Sequence, residues 1–274
     1  MRKWIWLAVA ILIALAGWAE ADQQADHIFY LPKALTTIES AAFAGDTIEK
    51  IYLSDAVRFI ADDAFDHVGM FYVEEDSYAH RWCESHSYPH VYMPKGLEWD
   101  LDSQGYVITG YHGEKTELVL PDEFCGNKIY RIGQGAFAGS GLTSIRLPAF
   151  LTEIESEAFY ECMSLTTVEN LFNPSLQIVG DFAFYGCTSL TISDPVVTWN
   201  SLGYNAFCNC QNITGVLTIP HSTALYDLSY AFAYTGITEA AIPETIFVDD
   251  YTFEGCQTEI PQTGKQLHGQ MKTV

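Results

Sequence analysis

The sequence predicts a right-handed solenoid of short β-strands and loops, interrupted once by a short helix. Three observations predict it. The pair Ala-Phe, replaced by Thr-Phe in the last copy, recurs with Phe at 43, 65, 137, 159, 184, 207, 232 and 253. The steps between these Phe residues are 22, 72, 22, 25, 23, 25 and 21, a regular period broken by one long gap. An aliphatic residue stands five before most of them: Ile38, Ile60, Ile132, Ile154, Val179, Leu202 and Val248. A unit of this length cannot bury its apolar side alone. Stacking like units makes one continuous core.

The chain opens with Arg2 and Lys3, an apolar run from Trp4 to Gly17, and Ala19-Glu20-Ala21. That is the order of a secretory signal peptide over residues 1–21, with cleavage expected after Ala21. The apolar run is short for a membrane span. No second apolar span follows, so the mature chain is expected to cross no membrane. Thirteen Lys and Arg stand against 35 Asp and Glu, a formal charge of -22. An acidic surface repels phosphate backbones, which argues against nucleic acid and leaves a basic partner as the more natural one.

Residues 22–66 hold two repeats, and residues 117–256 hold six. A second mark follows each Phe, as in Leu142-Thr-Ser-Ile145-Arg-Leu147-Pro148. Apolar residues alternating with Thr and Ser read as a short strand, and Pro ends it. Between the blocks, residues 67–95 read as strand, helix and strand, with Ser77 as the helix N-cap. Residues 97–116 read as a hairpin turning at Ser103-Gln-Gly105. The pieces from 67 to 116 resemble segments that close one block and open the next in repeat proteins of this kind. Residues 257–274 form a polar tail.

The stacking assigns roles to the marks. The eight Phe residues should form a buried column, with rungs roughly 4.8 Å apart. The Ala before each Phe should be small because the turn crowds its neighbours. Cys162, Cys187, Cys210 and Cys256 stand three after Phe and should form a second column as small hydrophobes. Free thiols are favoured there over disulfides. Cys208, two before Cys210, should point away from the core.

These marks resemble the BspA-type leucine-rich repeat of secreted and surface proteins. The residues that carry the resemblance include Ile154-Glu-Ser-Glu-Ala-Phe159-Tyr-Glu-Cys162-Met-Ser-Leu165 and Val179-Gly-Asp-Phe-Ala-Phe184-Tyr-Gly-Cys187-Thr-Ser-Leu190. The resemblance covers about residues 35 to 66 and 117 to 256. It implies a leucine-rich-repeat solenoid and a non-enzymatic binding role outside the cell, without a cofactor. It also implies a protein or glycoprotein partner, such as host extracellular matrix, mucin or another microbial surface. A structural or carrier module of an envelope assembly is the alternative, and an unrecognised hydrolase is a third reading.

Candidate chemistry is sparse. His80, Cys83, His86 and His90 have a spacing that could hold zinc, but a block-closing helix explains them better. The sequence contains no Gly-x-Ser-x-Gly elbow. Carboxylate pairs such as Asp62-Asp63, Glu74-Glu75 and Asp249-Asp250 are adjacent in sequence, which suits a solvated face rather than acid/base work. A binding surface is expected on the strand residues that face outward. By alternation these are Lys50, Tyr52, Ser144, Arg146, Thr167, Glu169, Thr218 and Glu239. That row reads as mixed, with no aromatic stripe.

Overall fold

The computed structural model describes residues 28–256, except 33, 222 and 223. The expected signal peptide and C-terminal tail lie outside those residues. The chain divides into two compact units, residues 1–92 and 93–274. The division falls inside the segment expected to join the repeat blocks.

In the first unit, strands Ile28–Tyr30, Phe43–Leu53, Phe65–Glu74 and His90–Met93 form one sheet in that order. Phe29, Ile51 and Phe71 share a register position, and the last two are fully buried. Strand Ile28–Tyr30 carries no Ala-Phe mark, yet it adds a rung to the sheet. A second short row pairs Thr37–Ile38 with Phe59–Ile60 and sets Ile38 beside Ile60. The helix, Tyr78–His86, begins where expected. The Ser77 hydroxyl accepts a hydrogen bond from the His80 amide at 3.0 Å, which satisfies one orphan donor of the first turn. Its buried face carries Ala79, Trp82 and Cys83. The Trp82 ring lies 6.0 Å from Phe65 and 5.9 Å from Phe71, so the helix closes the aromatic core of this unit.

The second unit opens with an antiparallel hairpin, Leu97–Leu101 with Tyr106–Tyr111. Asp102 holds its turn: Oδ1 accepts from the amides of Gln104 and Gly105 at 2.8 and 3.2 Å. The hairpin then receives strand Asn127–Ile132 in parallel. Glu153–Ile154, Ile178–Val179 and Ser201–Leu202 each add a further parallel rung. The repeated aliphatic residues Ile132, Ile154, Val179 and Leu202 are thereby brought into one buried line. Two other rows run through the unit. One contains Glu117–Val119, Ser144–Arg146 and Thr167–Glu169, and the other Ile192–Ser193, Ile213–Thr218 and Gly236–Ala241. One pairing was not legible in the repeat: Glu123–Phe124 folds back on Asn127 through Cys125 and Gly126. Both turn residues have positive φ, 48° and 70°, as a two-residue hairpin turn requires.

The Ala-Phe segment is a turn with left-handed backbone on both sides. Two residues before Phe, positive φ occurs at Ala41, Gly135, Glu157, Phe182, Asn205 and Tyr230. Two residues after, it occurs at Gly45, Gly139, Glu161, Gly186, Asn209, Tyr234 and Gly255. Successive turns are laddered together. Glu157, Phe159 and Glu161 donate their amides to the carbonyls of Asp181, Ala183 and Tyr185 at 2.8, 2.7 and 2.7 Å. This arrangement gives partners to backbone groups that the stack removes from water.

Phe rings stack within each unit, Phe43 on Phe65 at 4.9 Å in the first, but of the eight expected to be buried Phe43 and Phe253 are only half-buried. Phe137, Phe159, Phe184 and Phe207 stack at 5.0, 4.9 and 5.0 Å with planes within 5°. Burying each ring contributes about 1.5–3 kcal/mol. Ala158, Ala183, Ala206 and Ala231 are fully buried beside them. Thr252 replaces Ala in the last copy and is also fully buried; its hydroxyl donates to Asp249 Oδ1 at 2.7 Å.

The Cys column is present but is more than apolar filler. Cys162, Cys187 and Cys210 donate their thiols to the carbonyls of Phe137, Phe159 and Phe184 at 2.9, 3.1 and 3.0 Å. Each thiol thus satisfies the Phe carbonyl one rung back. Ser140 and Thr235 hold the equivalent place in two copies, where a small hydroxyl serves. All seven cysteines are free thiols. The expected exposure of Cys208 is corrected: it is buried, and Cys256 is the more accessible thiol. Cys208 lies in a turn beside left-handed Asn209, where spacing from Cys210 does not give the direction of a side chain.

Candidate functional site

The outward strand row is divided among separate sheets. In the first unit, Lys50 lies between Ile28 and Met70, and Tyr52 lies between Tyr30 and Tyr72. The rings of Tyr30 and Tyr52 are 6.0 Å apart, and the Tyr52 hydroxyl donates to Glu74 Oε1 at 2.7 Å. Two aromatic rings, Tyr30 and Tyr52, thus meet in this row beside Lys50. Alternation found Tyr52; Tyr30 was missed because its strand carries no repeat mark. In the second unit, Ser144 lies between Glu117 and Thr167, and Arg146 between Val119 and Glu169. Arg146 reaches Asp122 at 3.8 Å. Thr218 lies beside Ala241, and Glu239 beside Val216. Thr167, Glu169 and Glu239 are exposed, whereas the other five are half-buried.

The four metal-ligand types around the helix have separate engagements. Cys83 is fully buried, and burial pushes its thiol up to about 12. His80 is buried; its Nδ1 accepts from the Asp76 amide at 3.1 Å, which requires the neutral ring. Burial lowers its pKa, against an opposing pull from Glu84. His90 packs edge-on to His80 at 5.2 Å, with its Nδ1 2.9 Å from the Tyr88 carbonyl. His86 stacks on Trp82 at 4.4 Å and reaches Asp62 at 3.2 Å. Steps of three residues rotate about 60° short of a full turn, so His86 ends on a different helix face from His80. Among the described residues, no group of three or more His, Cys, Asp or Glu is placed to hold a metal ion.

A surface that the motif does not encode lies on the turns of the second unit. Tyr160 stacks on Tyr185 at 5.2 Å, and Tyr185 packs against Phe182 at 5.8 Å. Phe182 meets Tyr204 at 5.7 Å, Tyr204 meets Tyr230 at 4.8 Å, and Tyr230 stacks on Tyr251 at 4.6 Å. Six aromatic rings thus run in contact across the stack, outside the Phe column. Tyr204 and Tyr251 are 43% and 49% exposed, so water meets this ladder. The signal for it in the sequence is an aromatic residue two or three before Phe, at Phe182, Tyr204, Tyr230 and Tyr251.

Beside the ladder is an open cleft of about 550 Å³. Asp181, Tyr204, Tyr226, Asp227, Tyr230 and Asp249 supply its polar and aromatic lining. A shallower depression of about 300 Å³ shares Asp181, Ser201 and Gly203 with it and extends to Glu153 and Glu155. Glu155 pairs with Arg131 at 3.0 Å.

Comparison with known proteins agrees with this construction. The family model described as BspA type leucine rich repeat region matches six copies, over residues 24–71 and 130–260. Among curated proteins, none matches this chain. A leucine rich cell surface protein from Faecalibacterium prausnitzii A2-165 is 26% identical, with a TM-score of 0.50, over 63% of this chain and 47% of that one. The chain thus spans about half the length of that protein. The leucine rich repeat protein of T. pallidum is 23% identical, with a TM-score of 0.42, over 60% of this chain and 96% of that one. The pneumococcal vaccine antigen PcpA is 15% identical, with a TM-score of 0.41, over 85% of this chain and 67% of that one. The repeat marks, the parallel stacking and the matched residues together place this chain in the BspA-type leucine-rich-repeat family.

Proposed function

We propose that this protein is a secreted or cell-surface interaction module, without catalysis, that adheres to host or microbial surface components. One observation carries the reading. Residues fixed by the repeat are buried in columns, while the side chains left outside differ from copy to copy and include exposed tyrosines and carboxylates. A rigid scaffold that varies only its outer side chains is suited to recognition spread over several rungs. The outward row, from Lys50 and Tyr52 through Ser144, Arg146, Thr167, Glu169, Thr218 and Glu239, is proposed as one contact surface. The expected signal peptide and the cell-surface relative support a position outside the cell. Among the described residues, no helix is long and apolar enough to cross a membrane. The test is saturable binding of the purified protein to immobilised fibronectin, fibrinogen, mucin and whole bacterial or epithelial cells. Binding to at least one is expected; no saturable binding to any would reject the reading.

A further inference from the structure

We infer that the cleft beside the tyrosine ladder takes the Arg and Lys side chains of a basic polypeptide segment. The inference rests on the interaction-module reading and assigns it a site and a partner chemistry. The first ground is charge. Residues 147–256 contain 13 Asp and Glu and no Lys or Arg. The two arginines at the start of the second unit already have carboxylate partners: Arg131 lies 3.4 Å from Asp102 and 3.0 Å from Glu155, and Arg146 is 3.8 Å from Asp122. Beyond them the stack presents carboxylates without basic side chains to neutralise them.

The second ground is how the cleft holds its carboxylates. Asp181 Oδ1 accepts from the Tyr204 amide at 2.7 Å. Asp227 Oδ1 accepts from the Ser229 amide and hydroxyl at 2.8 and 2.7 Å. Asp249 Oδ1 accepts from the Tyr251 amide and the Thr252 hydroxyl at 3.1 and 2.7 Å. In each case one oxygen is anchored, and Oδ2 accepts no hydrogen bond among the described residues. Three carboxylates, from the copies of Phe184, Phe232 and Phe253, are thus oriented before any partner arrives, which lowers the ordering cost of binding. Each free oxygen can accept a charge-assisted hydrogen bond from guanidinium or ammonium.

The third ground is aromatic. Tyr204 and Tyr226 are exposed in the same cleft, and Tyr230 is stacked between Tyr204 and Tyr251. Cations, Arg above all, are attracted to exposed tyrosine faces. A neutral sugar would gain stacking but nothing from the charge.

The test is fluorescence anisotropy of labelled decaarginine with the purified protein, over a salt series. The comparison is between two triple variants of equal charge. One is Asp181→Asn, Asp227→Asn and Asp249→Asn, in which the Asn carbonyl keeps each backbone cap. The other is Glu114→Gln, Glu123→Gln and Glu244→Gln, exposed positions of the same unit outside both the cleft and the outward row. The expected result is saturable binding that weakens with salt, at least tenfold weaker in the cleft variant and within threefold of the parent in the control variant. Tyr226→Ala, at a residue 71% exposed, should weaken binding at least threefold without altering the melting temperature. Equal losses in both triple variants would reduce the effect to net charge and overturn the site. So would calcium binding in place of the peptide, or a neutral oligosaccharide competing for the cleft as well as decaarginine does. Adhesion to cells or glycoproteins without decaarginine binding would overturn the cleft and leave the interaction-module reading intact. Decaarginine binding confined to the cleft, with no adhesion to any surface, would do the reverse.

Discussion

Replacing Phe184 by Ala tests whether the Phe column holds the second unit together. Phe184 is fully buried and stacked on both faces, 4.9 Å from Phe159 and 5.0 Å from Phe207. The substitution removes a ring from the middle of a rigid ladder whose backbone is hydrogen-bonded above and below, so the space cannot collapse. Phe→Ala in such a site costs about 3–5 kcal/mol, and the upper half of that range is expected here. Phe253 supplies the internal comparison. It is half-buried, and its one ring neighbour in the column, Phe232, is 6.4 Å away. Phe253→Ala should cost about 1–2 kcal/mol from lost burial alone. Urea unfolding followed by far-ultraviolet circular dichroism and by tyrosine fluorescence gives both values. The two probes must coincide, because long repeat arrays can lose two-state behaviour. A loss below about 1.5 kcal/mol for Phe184→Ala, or equal losses at the two positions, would refute the column as the main source of stability.

Other outcomes follow from the same geometry. A Cβ on Gly203 would sit 2.2 Å from the Asp181 amide nitrogen, whereas one on Gly135 would meet nothing within 4 Å. Gly203→Ala should therefore cost about 1–3 kcal/mol or more through a rung displacement, and Gly135→Ala only about 1–2 kcal/mol for its positive φ; comparable melting temperatures would contradict this. In the native protein, Cys256 should react first with a thiol reagent at pH 8, while Cys83, whose thiol burial pushes up to about 12, should react only on unfolding. Rapid labelling of more than about two thiols would disprove the buried column. His80 has its folded pKa lowered by burial, so the unfolded chain binds the proton more tightly. Stability from this group is present above pH about 6.5 and is lost as pH falls below it. Near-ultraviolet melts should show that His80→Gln flattens this acid dependence, and an unchanged slope would remove His80 from the account.

Much of the fold could be read from the sequence because the repeat acts locally and many times. Ile132, Ile154, Val179 and Leu202 carry the same mark and occupy the same register line. The Ser77 cap was equally legible, since a hydroxyl at that position satisfies a donor three residues on. One strand without a repeat mark was missed: Ile28–Tyr30 finds its place only by pairing with Phe43–Leu53, a long-range event. Cys208 was misplaced because it lies in a turn, where its spacing from Cys210 does not set the direction of the side chain.

The sequence by itself determined the period, the buried columns and the acidic excess, since each depends on residue type at fixed spacing. The tertiary structure alone decided which outer side chains meet. Asp181, Asp227 and Asp249 do not share one position in the repeat, and Tyr226 belongs to no mark. They become neighbours because left-handed turn residues redirect the chain on every rung, and stacking then brings different offsets onto one face. Core positions are dictated by burial and are repeated; surface positions are set by the path of the turns, which no spacing rule records.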